Sequence, residues 1–263
     1  MTRSSTPAQP LAGWYVISLR PSGDHAALRR AASAHGAKVL ALSPWRIESL
    51  HDATARAAVG AALTADIVIA TSPAAVRAAA ALGALTCNGV QQFVAVGEGT
   101  AAALRRAGIA QVETPTRMDS EGVLALHTLQ YVRGRNIGLI TAPGGRDRIE
   151  PALRERGAIV RRADVYQRVP IALSPRALRA LLELAAPTAI ALSSGEAFAR
   201  TLDTLPANAL VVLRHCLVIA ASQRLADLAS KQGFEHIVIA ASARPHDLIA
   251  AAATAASAAH PLP

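Results

Sequence analysis

The chain has 263 residues, 52% hydrophobic and 17% charged, enough for one or two domains with a real core and no disulfide or metal staples. It is too apolar for a disordered chain, and no run reaches the roughly 18 to 20 apolar residues that span a bilayer. The formal charge is +9, carried by arginine except at Lys38 and Lys231. Arginine's planar fork suits carboxylate or phosphate, although GC-rich coding also writes Arg in place of Lys.

Nucleic acid is disfavoured as a partner, because aromatics make up only 3% of the chain and the arginines are scattered rather than clustered. Cys87 and Cys216 stand far apart without a C-x-x-C pattern, so a reducing, cytoplasmic setting is expected. The apolar stretch from Leu11 to Leu19 ends in Arg20-Pro21 with no small-residue cleavage site and reads as a first strand rather than a signal peptide.

In chain order, Trp14 to Leu19 predicts a strand, followed by a loop and a helix through Ala26, Leu28, Ala31 and Ala34 that stops at Gly36. The same rhythm returns: a strand at Asp66 to Ala70 with a helix from Pro73, a strand at Phe93 to Val96 with a helix to Gly108, and a strand at Asn136 to Thr141 with a helix to Gly157. Further on come Thr188 to Leu192 with a helix from Gly195, Leu217 to Ala220 with a helix to Gly233, a last strand at Glu235 to Ala240, and an alanine-rich terminal helix. Alternation of this kind predicts parallel sheets flanked by helices.

The signals recur in one register. Gly157 lies 121 residues after Gly36, Arg168 lies 122 after Arg46, Ser193 lies 122 after Thr71, and Gly233 lies 125 after Gly108. Two similar lobes are therefore expected. Leu42 to Leu50 (LSPWRIESL) and Asp164 to Ile171 (DVYQRVPI) break the rhythm, are extended in composition and occupy equivalent places. Taken as interlobe connectors at 44–49 and 164–171, they assign residues 1–43 plus 172–263 to one lobe and 50–163 to the other.

In parallel sheets, ligands bind outside the carboxyl ends of the strands. The loops to watch are LRPSG, ATSPAAV, VGEGT, TAPGGR, LSSGE and AASQR, each with Ser, Thr or Gly at a strand-to-helix junction. Such residues are ordinary helix caps, yet six in register on two lobes suit an anionic ligand. VGEGTAA also fits a G-x-G-x-x-A dinucleotide fingerprint, with Asp119 or Glu121 as the ribose partner; helix capping explains those acids equally well. The histidines show no metal-ligand spacing, and Ser72 and Ser194 lack the G-x-S-x-G elbow.

VISLRPSGDHAALRRAASAHGAKVLALSPWRIE, ADIVIATSPAAVRA, VAVGEGTAAALRRAGI, SEGVLAL, LITAPGGRDRIEPALRERGAIVRRADVYQRVP and IALSSGEAFARTL, in this order and spacing, resemble the uroporphyrinogen-III synthase family from Trp14 to about Thr254. The resemblance implies two α/β lobes, each a parallel sheet flanked by helices, joined by two extended connectors. It also implies a cofactor-free, metal-free cyclising lyase that converts hydroxymethylbilane, a linear tetrapyrrole octacarboxylate, into uroporphyrinogen III with inversion of ring D, in haem biosynthesis. By that resemblance Tyr166 assists departure of the substrate hydroxyl, while Ser72, Thr100, Ser193, Ser194 and Ser222 contact the substrate and Arg20, Gly145 and Arg146 hold its carboxylates.

A monomer is expected, because two lobes hinged around a large flexible ligand need no second subunit; no membrane partner is expected, and a transient contact with the preceding, hydroxymethylbilane-forming enzyme is an open partner reading. The competing readings are a noncatalytic anionic-ligand-binding or regulatory relative of the same fold and a dinucleotide-dependent oxidoreductase. The first ten residues and the tail after Thr254 fall outside the likeness and are expected to be a disordered lead and a frayed helix end.

Overall fold

The computed structural model describes residues 9–86, 89–144 and 147–259. The elements run β1 (Tyr15–Ser18), α1 (Ala26–Ala34), β2 (Lys38–Ala41), β3 (Trp45–Ser49), α2 (Ala53–Leu63), β4 (Ile67–Ala70), α3 (Pro73–Leu82), β5 (Gln92–Ala95) and α4 (Glu98–Arg106). They continue with α5 (Ser120–Ala125), a 3-10 turn (His127–Leu129), β6 (Asn136–Thr141), α6 (Ile149–Glu155), β7 (Ile159–Asp164), β8 (Tyr166–Pro170) and α7 (Pro175–Leu182). The last are β9 (Thr188–Leu192), α8 (Gly195–Thr204), α9 (Ala207–Arg214), β10 (Leu217–Ala220), α10 (Gln223–Lys231), β11 (Ile237–Ile239) and α11 (Pro245–Ala259).

The chain divides into two compact units: a terminal unit, Met1–Arg46 with Pro170–Pro263, and a middle unit, Ile47–Val169. The divisions fall inside β3 and β8, which pair as a two-stranded ribbon. This ribbon is antiparallel, because Leu50 N–H donates to Val165 O at one end and Ile171 N–H donates to Pro44 O at the other. The two segments read as extended are thus a hydrogen-bonded pair of strands.

The terminal unit holds a parallel sheet in the order β11-β10-β9-β1-β2, with Tyr15 beside both Lys38 and Thr188. In the middle unit the order is β5-β4-β6-β7, again parallel, with Ile67 beside Gln92 and Ile137. An isolated parallel bridge between Val94 and Glu113 stands where β11 stands in the other sheet. Read from β10 to β2 and from β5 to β7, the two orders are the same, the spatial counterpart of the repeated signals.

The central strands explain why the sequence folds this way. IVIA of β4 and TAIAL of β9 are buried at every position, as befits strands covered on both faces. On one face of the middle sheet, Val68 and Ala70 pack with Val76, Ala79 and Leu104; on the other, Ile67 and Ile69 pack with Val123, Ile149 and Leu153. Ser72 and Ser174 cap α3 and α7 by accepting from Ala75 N–H and Ala177 N–H, each just before a proline at the first helical position.

Several elements lie outside the predicted rhythm: β2, α2, α5, β7, α7 and α9. Strand β7 (IVRRAD) is an edge strand whose arginines mask its apolar residues. Helix α2 (ATARAAVGAAL) is so rich in alanine that its buried and exposed faces hardly differ in polarity. The tail after Thr254 requires correction. Helix α11 continues to Ala259, and Ala256 is buried with Leu28, Ala32 and Ala252, because small side chains let α11 pack closely on α1. The lead's first eight residues lie outside the described residues, as does Cys87, while Leu11 is fully buried.

Gly138 in β6 lets α2 pack closely on the middle sheet: a Cβ there would stand 2.1 Å from Ala62 O of α2. Gly138→Ala is therefore expected to lower stability by about 3 kcal/mol, measured as a reduced urea midpoint at unchanged slope.

Candidate functional site

In each sheet one pair of neighbouring strands sends its following helices to opposite faces, and there the strand ends are left uncovered. In the middle unit this happens between β4 and β6, in the terminal unit between β9 and β1. Each gap holds a cavity, of about 160 Å³ in the middle unit and about 150 Å³ in the terminal unit.

The middle cavity is lined by Thr71 and Ser72 after β4, Thr141 at the end of β6 and Ala142 after it, Arg148, and Tyr166 from β8. Thr71 Oγ1 donates to Thr141 Oγ1 at 2.9 Å, tying the two strand ends together. Ser72 Oγ accepts from Ala75 N–H at 3.0 Å and lies 3.3 Å from Tyr166 OH. The Tyr166 ring is buried in the unit's core, 4% exposed, while the residue also borders the cavity; the apolar body and polar tip of tyrosine suit both surroundings. Arg168 lies over the ring, 5.9 Å from its centroid, and donates to Pro143 O at 3.0 Å. Arg148 reaches Glu121 Oε1 at 3.1 Å.

Behind this cavity, Arg162 of β7 contacts Asp147, Glu150 and Asp164. Burial favours the neutral form of Glu150, but hydrogen bonds from Arg162 and Arg154 outweigh it and hold the carboxyl below its ordinary range.

The terminal cavity is lined by Leu19, Arg20 and Pro21 after β1, Ser193 and Ser194 after β9, and Trp45. Arg20 pairs with Asp24 at 3.0 Å, and Ser194 Oγ accepts from Ala197 N–H at 3.3 Å. Ser22 N–H donates to Trp45 O at 2.9 Å, which fixes the β1–α1 loop against the start of β3. Beneath that loop the buried His25 ring spans Ser18 Oγ at 2.8 Å and Ser43 Oγ at 2.9 Å.

Of the residues singled out in the sequence, Ser72 and Tyr166 meet in the middle cavity and Arg20, Ser193 and Ser194 in the terminal one. Thr100, in the first turn of α4, is 4% exposed, and Ser222 stands at the start of α10; neither lines these two cavities. Gly145 and Arg146 lie outside the described residues. The sequence reading passed over Thr141, Arg148 and Arg168 as contacts in the middle cavity and Trp45 in the terminal one. Thr141 is the last residue of an apolar strand and was legible, and Trp45 stands in the segment read as equivalent to the one that holds Tyr166, so its place was legible as well.

VGEGTAA follows β5, the last named strand at its edge of the sheet, and its first residue, Val96, borders the middle cavity. Glu98 Oε1 accepts from Thr114 Oγ1 at 3.0 Å, and Asp119 caps α5 through Gly122 N–H. These contacts are the ordinary work of helix ends. Among the described residues no group of three or more His, Cys, Asp or Glu is placed to hold a metal ion, and no helix is long and apolar enough to cross a membrane.

The family model described as "Uroporphyrinogen-III synthase HemD" matches residues 26–250. The uroporphyrinogen-III synthase of Escherichia coli (strain K12) is 30% identical over 153 residues, 57% of this chain and 62% of that protein. That of Salmonella typhimurium is 29% identical over 155 residues, 58% of this chain and 63% of that protein. The matched stretches thus span less than two thirds of the length of these relatives. Among solved structures, a mutant uroporphyrinogen III synthase of Thermus thermophilus is similar with TM-score 0.63 at 20% identity, over 95% of this chain and 100% of that one. The Helicobacter pylori 26695 uroporphyrinogen-III synthetase is similar with TM-score 0.58 at 13% identity, over 93% and 99%. Both share the two-lobed α/β fold.

Burial, helped by the Arg29 charge and opposed by Asp24, pushes the His25 pKa below its ordinary 6.5. The unfolded chain then takes up a proton near pH 6.5 that the folded chain refuses, so this contribution is full above that pH and is lost as the pH falls. Melting temperature is expected to drop between about pH 7.5 and about pH 5.5, and His25→Asn, which takes up no proton, should flatten the curve over that window.

Proposed function

The chain belongs to the uroporphyrinogen-III synthase family, and from that premise we propose that it cyclises hydroxymethylbilane to uroporphyrinogen III, inverting the last pyrrole ring, without a cofactor. The observation that carries the reading is the Tyr166 hydroxyl at the middle cavity, 3.3 Å from Ser72 Oγ, in the gap where this fold places ligands.

Ser72 Oγ already accepts the Ala75 amide hydrogen, which leaves its own proton to donate to the tyrosine oxygen. The phenol proton is then directed toward the cavity, where it can be given to the departing substrate hydroxyl as that C–O bond breaks and water leaves. The cationic azafulvene that remains is attacked by the substituted carbon of the last ring, giving a spiro centre; fragmentation and reclosure at the ring's other α-carbon then invert it, and the final deprotonation balances the proton first donated. The protein's main task is conformational, since inversion requires that one carbon be held about 3 to 3.5 Å from the cation.

At about 160 Å³ and about 150 Å³ each cavity is too small to hold the whole substrate. Carboxylate side chains on the pyrroles suit Arg148 in the middle cavity and Arg20 with the Ser193 and Ser194 hydroxyls in the terminal one. Thr100, Gly145, Arg146 and Ser222 remain proposed contacts on the family resemblance alone. A reducing, cytoplasmic setting and handover from the enzyme that forms hydroxymethylbilane belong to the same proposal.

Freshly generated hydroxymethylbilane is supplied to the purified protein with no cofactor, and the oxidised products are separated as isomers. Isomer III in large excess over the protein-free control is expected. Isomer I alone from folded protein would favour the noncatalytic binding relative. Tyr166→Phe should lower kcat about 100-fold with little change in KM, and an unchanged kcat would remove the tyrosine from its role as proton donor.

A further inference from the structure

The residue that organises the wall of the middle cavity lies behind it. Arg162 Nη1 donates to Asp147 Oδ1 at 2.7 Å and to Glu150 Oε2 at 2.9 Å, Nε lies 3.1 Å from both oxygens of Asp164, and Nη2 donates to Ala142 O at 3.4 Å. One guanidinium thus joins the segment leaving β6, the segment entering α6, the first turn of α6 and the end of β7. Ala142 and Asp147 line the cavity, as does Arg148, the next residue.

Asp147 is also the only non-glycine among the described residues with positive φ, at 40°. A side chain in that region is disfavoured unless its surroundings hold it there, and the bond to Arg162 supplies a hold. The terminal unit carries no counterpart. Its strand β2 reads KVLA, and Ala41, beside Ser18 as Arg162 is beside Leu139, occupies the equivalent place. The clamp therefore belongs to the unit that carries Tyr166.

We propose that Arg162 is a positioning residue, whose four-way clamp sets the two described ends of the β6–α6 connection, Ala142 and Asp147 with Arg148, and with them the substrate-binding wall of the middle cavity. It touches no substrate and acts through Asp147, Arg148 and Ala142. The proposal rests on the synthase reading for what binds at that wall, while the clamp itself can be tested without substrate. Arg168 ties the Tyr166 ring to Pro143 O of that connection, but Tyr166 is also held by Ser72 and by the backbone bonds of Val165 to Thr141 and Leu50, none of which involves Arg162, so losing the clamp should weaken binding more than it slows chemistry.

Arg162→Met removes the clamp. Arg162→Lys keeps the charge beside the three carboxylates but cannot span all four groups, which guards against simple misfolding. Hydrogen exchange of the peptide containing residues 147–152, measured on the substrate-free protein, should accelerate in both variants while peptides from β4 and β9 stay protected. With hydroxymethylbilane, KM should rise about tenfold in Arg162→Met while kcat stays within about twofold. Asp147→Gly in the Arg162→Met background should recover part of that loss, because glycine adopts positive φ unaided.

Unchanged exchange at 147–152 in both variants would overturn the clamp, as would acceleration spread evenly over the middle unit with a parallel fall in melting temperature. A fall in kcat at constant KM would also overturn the assignment. If the unmodified protein fails to convert hydroxymethylbilane, the synthase reading falls, and the exchange result still decides the clamp.

Discussion

Everything that gives this chain a site follows from a constraint on parallel sheets: crossover connections are right-handed. A strand that connects leftward and a neighbour that connects rightward must place their helices on opposite faces. In the middle unit β4 leads through α3 to β5, and β6 leads through α6 to β7, in the opposite direction along the sheet. Helix α3 packs with Val68 and Ala70, and α6 packs with Ile67 and Ile69, on opposite faces of one strand. Among the described residues the helices following β4 and β6 leave an opening between the two strand ends, and the Thr71–Thr141 hydroxyl pair and Tyr166 border it. The terminal unit meets the same constraint between β9 and β1, and its opening falls beside Arg20 and Ser193.

How much of this was legible depended on whether a feature is local. The strand IVIA, the Ser-Pro start of α3 and the glycine after α1 at φ 86° each announce themselves within a few residues, because caps and apolar runs act over single turns and single strands. The duplicated register was visible as well, since duplication preserves spacing. Helix α7, with Ser174 capping and Pro175 opening PRALRALL, carried the same local signal and was passed over. Arg162 could not be read as important. In IVRRAD it is one of two adjacent arginines, and only the pairing of β7 with β6 turns it toward Asp147 and Glu150 while Arg161 reaches Thr64 and Asn136. Function carried by contacts between segments distant in sequence leaves no periodic trace.

The two units share one pattern and differ in chemistry. Each has a serine capping the helix after its central strand, Ser72 and Ser194, and an aromatic residue at the start of its ribbon strand, Tyr166 and Trp45. A phenol can give up and regain a proton, whereas an indole N–H donates a hydrogen bond and keeps it. Acid chemistry is therefore available at the middle cavity alone of the two, and the clamp that fixes a cavity wall is found in the same unit. The terminal cavity retains an arginine, two hydroxyls and a large flat wall, the equipment for holding a charged, planar group.

The distribution of acid around the two cavity arginines shows how a strongly basic chain keeps such side chains in order. Arg20 leans on Asp24 at 3.0 Å and Arg148 on Glu121 at 3.1 Å, so each has a preset orientation. An incoming carboxylate must compete with or share these partners, which makes each contact weaker than one to a free guanidinium. The return is geometric, because a fork already aimed loses less side-chain freedom on binding. On the proposed reading, tight capture of a long, flexible, highly charged substrate by loose arginines would accept many folded shapes, whereas inversion of a single ring requires one. Arginines held by their own acids give up affinity that a polyanion can supply many times over, and they select for shape, which it cannot supply itself.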